Sequence, residues 1–114
     1  MITTALSYDE KVQLLTHLGK IYRRGTLCRD FIRHGVVMES EGSYADMELA
    51  SKMQVILDHM EPKNADIIRN DFMDLKDVRW YESLYSEERY RHMKSEAMTQ
   101  FLDCLYAVSY THLT

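Results

Sequence analysis

Apolar side chains recur at helical spacing along most of the chain. Leu14, Leu15, Leu18, Ile21 and Tyr22 form a first stripe, and Ser7 with Glu10 three residues on has the form of a capping box, so a helix is predicted from about Tyr8. The stripe carries on through Gly25, Cys28 and Ile32 to Gly35. To about Met38 it is either one long helix with small residues on its buried line or two helices broken near Gly25, and we read two pieces. Ser40-Glu41-Gly42-Ser43 reads as a loop whose last residue caps the next helix. From Tyr44 to Met60 the series Leu49, Ala50, Met53, Ile56, Leu57, Met60 is the cleanest amphipathic repeat in the protein.

Pro62 falls where a first-turn proline is tolerated, so Lys63 to Met73 is predicted as a helix burying Ile67 or Ile68 together with Phe72. Asp74 to Asp77 makes a short turn. A brief helix, Val78 to Tyr85, is expected to present Trp80, Tyr81 and Leu84 inward. Ser86 then caps a final helix with Glu87 and Glu88 in its first turn, and its buried line runs through Tyr90, Met93 or the stem of Lys94, Ala97, Phe101, Cys104 and Leu105. No segment alternates as a strand does, and no repeat or low-complexity linker divides the chain. The expected fold is therefore all-α, a helical bundle with a C-terminal helix-turn-helix-like three-helix unit. One domain covers 1–107, in which helices of 1–60 support the unit at 61–107. Its predicted core is Leu14, Leu15, Leu18, Ile21, Phe31, Leu49, Met53, Ile56, Leu57, Ile68, Phe72, Trp80, Leu84, Tyr90, Ala97 and Phe101.

Composition sharpens this picture in a few places. A length of 114 residues suits one domain that buries a core without staples. The two cysteines, Cys28 and Cys104, are far apart and each lies in an apolar helical pattern, which fits buried thiols in a reducing cytoplasm. No basic leader precedes an apolar run at the N-terminus, and no stretch approaches the roughly 20 apolar residues that cross a bilayer, so no membrane partner is expected. The formal charge of −4 provides no general attraction to phosphate backbones, leaving any nucleic-acid contact to depend on local patches.

Catalytic and metal chemistry find little footing. His17, His34, His59, His92 and His112 have no spacing that puts two nitrogens on one helical face, so no metal is expected. Gly19, Gly25, Gly35 and Gly42 are dispersed rather than gathered into a phosphate loop. Glu87 and Glu88 are neighbours, about a hundred degrees apart around a helix, and read as helix-start charges rather than an acid/base pair. A non-enzymatic protein without cofactor is the expectation. Met53 and Met60 fall on the apolar stripe and read as core, whereas Met38, Met47, Met73 and Met98 are less tied to it, and an exposed subset would mark a partner site.

The segment Leu57 to Met60 and Pro62, then Ile67-Ile68 and Phe72, then Ser86, Tyr90, Ala97 and Phe101-Leu102 is similar to region 4 of bacterial sigma factors and to the related phage ArpU-type regulators. The likeness covers about the C-terminal half. It implies transcription regulation through double-stranded DNA, with Ser86 starting a recognition helix that Tyr90 and Ala97 pack down. Arg89, Arg91, His92, Lys94 and Ser95 would then approach bases or phosphates, Lys94 standing nearest the buried line. The sequence departs from that family at Trp80, where a small residue is usual, and at the acidic pair Glu87 and Glu88. Trp80-Tyr81, Tyr85-Ser86 and Tyr90-Arg91 also resemble a signature of mollicute and low-GC relatives, a family without assigned function. Val108-Ser109-Tyr110-Thr111-His112-Leu113-Thr114 resembles the translated end of a transposon used to fragment DNA for sequencing, and is set aside from functional reasoning. The competing expectation is a helical module that binds a protein partner or forms a homodimer through a Tyr/Met-rich surface and the acidic run Glu39, Glu41, Asp46, Glu48.

Overall fold

The Ser7 signal at the start of the chain is realised as a full capping box. In the computed structural model, which describes residues 5–36 and 41–113, the Glu10 amide donates to Ser7 Oγ at 3.1 Å and the Ser7 amide donates to Glu10 Oε1 at 2.9 Å. The Ser7 amide and hydroxyl hold the Glu10 carboxyl below its ordinary value. Helix α1, Tyr8–Arg33, follows without a break through Gly25. The expected division into two pieces is thus corrected. A methyl group at Gly25 would overlap the Asp46 carbonyl and lie 2.7 Å from Ala50 Cβ, so this glycine marks a close helix crossing, not a helix end.

Helix α2, Glu41–His59, runs antiparallel to α1, because Arg24 pairs with Asp46 at 3.2 Å while the earlier Tyr22 donates to the later Gln54 at 2.6 Å. Ser43 lies inside α2 and does not cap it. Met38 and Glu39, named above as surface candidates, lie outside the described residues. Helix α3, Pro62–Ile68, opens with proline in its first turn and continues as a π-helical turn, Arg69–Met73, closed by the Asp74 amide donating to the Arg69 carbonyl at 2.7 Å. Its terminal carbonyls are capped from α1: Arg23 Nη1 donates to Phe72 O at 2.6 Å and to Met73 O at 3.2 Å. Gly19, one turn before Arg23, lets the Phe72 carbonyl approach where a side chain would obstruct it.

The segment expected to form a helix from Val78 to Tyr85 is instead a strap of tight turns. Trp80, Glu82 and Leu84 donate to carbonyls three residues back, and only Tyr85 donates four residues back, to Tyr81. Val78 and Leu84 stand exposed, so the segment lacks the apolar stripe that would hold so short a helix against the body. Helix α4, Glu87–Leu113, then crosses the molecule.

The core lies where α4 meets α2, α3 and the N-terminal half of α1. Leu15, Met53, Leu57, Ile67, Ile68, Met73, Met98 and Phe101 are its largest fully enclosed side chains. Both isoleucines of the Ile67-Ile68 pair are therefore used. Met73 and Met98, read from sequence as loosely tied to the stripe, are core residues. Leu14, Phe31 and Leu84 are exposed, against expectation, while Ile21, Leu49, Trp80 and Tyr90 pack around the core without being enclosed. The described residues are mostly helical and contain no strand, and none of their helices is long and apolar enough to cross a membrane.

Candidate nucleic-acid interface

Ser86 starts α4, its Oγ accepting from the Arg89 amide at 3.2 Å. What holds this helix start to the body is a buried polar anchor. The π-helical turn directs Asp71 inward, and its carboxylate receives Trp80 Nε1 on Oδ1 at 2.7 Å. On Oδ2 it receives the Tyr90 hydroxyl and the Lys94 ammonium, the latter at 3.0 Å. The side chains of Asp71 and Lys94 are only 9% and 16% exposed, so this is a pair largely removed from water with its hydrogen bonds made. Tyr81 and Tyr90 stack with ring centroids 3.6 Å apart, and Trp80 meets both rings edge-on at 6.2 and 6.1 Å. Burial, then the hydrogen bond to the Asp71 carboxylate, push the Tyr90 phenol far above its ordinary range.

The five residues named from sequence are not equivalent in space. Arg89 and Arg91 are exposed, and each guanidinium rests on an aromatic face: Arg89 lies 5.9 Å from the Tyr85 ring centroid and Arg91 4.9 Å from that of Tyr8 on α1. At helical spacing these two arginines are roughly 200° apart around α4. They flank an outward line carrying Glu88, His92 and Ser95, of which Ser95 is half-buried and the other two exposed. The two arginines thus stand on two separate flanks of the helix start. Lys94 belongs to neither, since its ammonium is turned into the body, onto Asp71 and 5.1 Å from the Phe72 ring centroid.

Beyond His92 the exposed face of α4 deepens into a groove of about 580 Å³ lined by His92, Ser95, Glu96, Thr99, Gln100 and Asp103. Lys11 of α1 donates to Thr99 at 2.8 Å, and Asn64 of α3 donates to Gln100 at 3.0 Å. A second, largely apolar groove of about 250 Å³ runs between Val55 and His59 of α2 and Cys104 and Val108 of α4. Among the described residues no three His, Cys, Asp or Glu side chains gather where they could hold a metal ion.

Asp71 and Arg23 escaped the sequence reading. Asp71 gave one usable signal, a charged residue four after Ile67 and three after Ile68, on the line that helical spacing assigns to the core. Arg23 gave none, because its partners are backbone carbonyls contributed by a distant turn. No family model matches this chain, and no curated protein or solved structure matches it.

Proposed function

We propose that this protein is a double-stranded DNA-binding module of transcription regulation, in which the N-terminal half of α4 enters the major groove. The observation that carries the reading is the placement of Arg89 and Arg91 on opposite flanks of an exposed helix start. A helix roughly 10–12 Å across fits a major groove about 12 Å wide. An arginine on each flank can then meet a groove wall, while His92 and Ser95 face the base edges between them. The Tyr85 and Tyr8 rings lie against the two guanidiniums, whose edge N–H groups can donate to phosphate or guanine acceptors. Lys94 is withdrawn from this surface by Asp71 and contributes to posture alone. The short second helix that a helix-turn-helix uses to brace its reading helix is absent here, between Met73 and Glu87, and bracing rests on the Asp71 anchor alone.

Duplex retention measured against salt tests the proposal. Phosphate contacts release counterions, so affinity falls steeply as ionic strength rises. Arg89→Ala with Arg91→Ala abolishes retention while the helical circular-dichroism signal stays intact; retention unchanged in the double variant rejects the assignment. The alternative, a protein-binding or self-associating helical module, is favoured by exposed Leu27 and Phe31 in the C-terminal part of α1 and Tyr44 at the start of α2. It predicts a concentration-dependent mass, little salt response and no duplex retention.

A further inference from the structure

We infer that Asp71 is the positioning residue of the reading helix, an inference that rests on the DNA-binding proposal. Three parts of the fold meet at this one carboxylate. It belongs to the π-helical turn, which α1 fixes through Arg23 and the Phe72 and Met73 carbonyls. Its Oδ1 accepts from Trp80 in the strap, and its Oδ2 from Tyr90 and Lys94 in the first two turns of α4. Tyr90 and Lys94 are one helical turn apart on the inward side of the same turns that carry Arg89, Arg91 and His92 outward. Pinned at two successive turns to a nearly buried atom, α4 is restrained both in roll about its axis and in sliding along it.

Roll is the motion that matters for the proposed contact. Because Arg89 and Arg91 lie on opposite flanks, a rotation of α4 that carries one toward a groove wall carries the other away. Both contacts are made together only at the angle Asp71 sets. The strap obeys the same constraint, since Trp80 Nε1 ties it to Asp71 and its Tyr85 ring supports Arg89. Asp71 touches no nucleic acid in this arrangement and acts through the residues it holds.

The test uses the full chain and a fluorescein-labelled duplex of mixed sequence, titrated over a range of KCl at a temperature well below the melting midpoint. Asp71→Asn removes the charge that holds Lys94, and this variant risks unfolding. Trp80→Phe with Tyr90→Phe therefore serves in its place, deleting two donors while keeping an aromatic ring at each position and the Asp71–Lys94 pair. The expected result for this variant, whose net charge is that of the native chain, is, with helical content unchanged, a loss of roughly tenfold in affinity and a salt slope shallower by about one, as when a single phosphate or base contact is lost. A purely structural Asp71 would lower the melting midpoint and leave affinity and slope of the folded protein untouched, and that result overturns the inference while the DNA reading stands. Failure of the native chain to retain duplex at low salt overturns the DNA reading and the positioning role together.

Discussion

Gly25 and Gly19 are the residues at which helix packing leaves no room for a methyl group. A glycine inside a helix is ordinarily improved by alanine, by up to about 1 kcal/mol. Here the sign reverses, because a Cβ at Gly25 meets the Asp46 carbonyl and Ala50, and one at Gly19 meets the Phe72 carbonyl. Gly25→Ala is expected to lower stability by about 1–3 kcal/mol, the range for overpacking, read as a lower urea midpoint at unchanged slope; a rise in the midpoint would place α1 and α2 farther apart than described. Tyr90 makes a second residue-scale prediction. Its folded pKa is raised above the ordinary value of 10.0, so native and unfolded chains are equally protonated below about pH 10. Above that pH the unfolded chain loses the proton first, and stability falls as pH rises. Tyr90→Phe should flatten this alkaline decline in thermal melts, although it costs the hydrogen bond to Asp71 at neutral pH.

At the scale of elements, the two long helices begin by different means. The reciprocal bonds between Ser7 and Glu10 start α1, and Ser7→Ala should cost about 1 kcal/mol in a denaturant melt. The start of α4 depends on Ser86 and also on tertiary anchoring through Tyr90 and Lys94, so Ser86→Ala should cost no more than the Ser7 change. The strap between the π-helical turn and α4 shows what happens when a short segment has neither a long hydrogen-bond ladder nor a buried stripe. Val78 is 81% exposed and Leu84 64%, leaving Trp80 and Tyr81 to hold the segment down. Hydrogen exchange should accordingly be much faster at the amides of Glu82 to Tyr85 than at those of Ala97 to Leu102. Equal protection in the two segments would mean that the strap is wound into a stable helix in solution.

At the scale of the whole molecule, stability is concentrated where α4 crosses the other helices. Phe101 is fully enclosed among residues drawn from every helix, and Phe101→Ala should cost about 3–5 kcal/mol, a large part of what a domain this small possesses. The distal half of the α1–α2 hairpin contributes little to that core, since between Gly25 and Ala50 no described residue is fully buried. Charge is distributed unevenly as well. The net charge of −4 works against contact with phosphate, so the proposed interface depends on Arg89 and Arg91 leading the approach. Replacing Glu88, which stands on the outward line between them, by Gln should therefore raise affinity for any duplex and steepen its salt dependence.

The chain by itself determined the helical class, the capping box at Ser7, the proline-initiated α3, the start of α4 at Ser86 and most of the enclosed core from Leu15 to Phe101. These follow from interactions within a turn or two and from apolar periodicity, both written locally. Tertiary structure decided the rest. It kept α1 whole through Gly25, because a crossing helix required the missing side chain; it unwound Val78 to Tyr85, because no surface received Leu84; and it exposed Leu14 and Phe31, because no element came to cover them. The candidate site was divided in the same way. Arg89, Arg91, His92 and Ser95 were legible as polar positions on a capped helix, whereas the withdrawal of Lys94 and the role of Asp71 required a carboxylate and an ammonium more than twenty residues apart to meet. Helical periodicity names the residues that turn inward, and only the packing of one element on another settles which partner they find there.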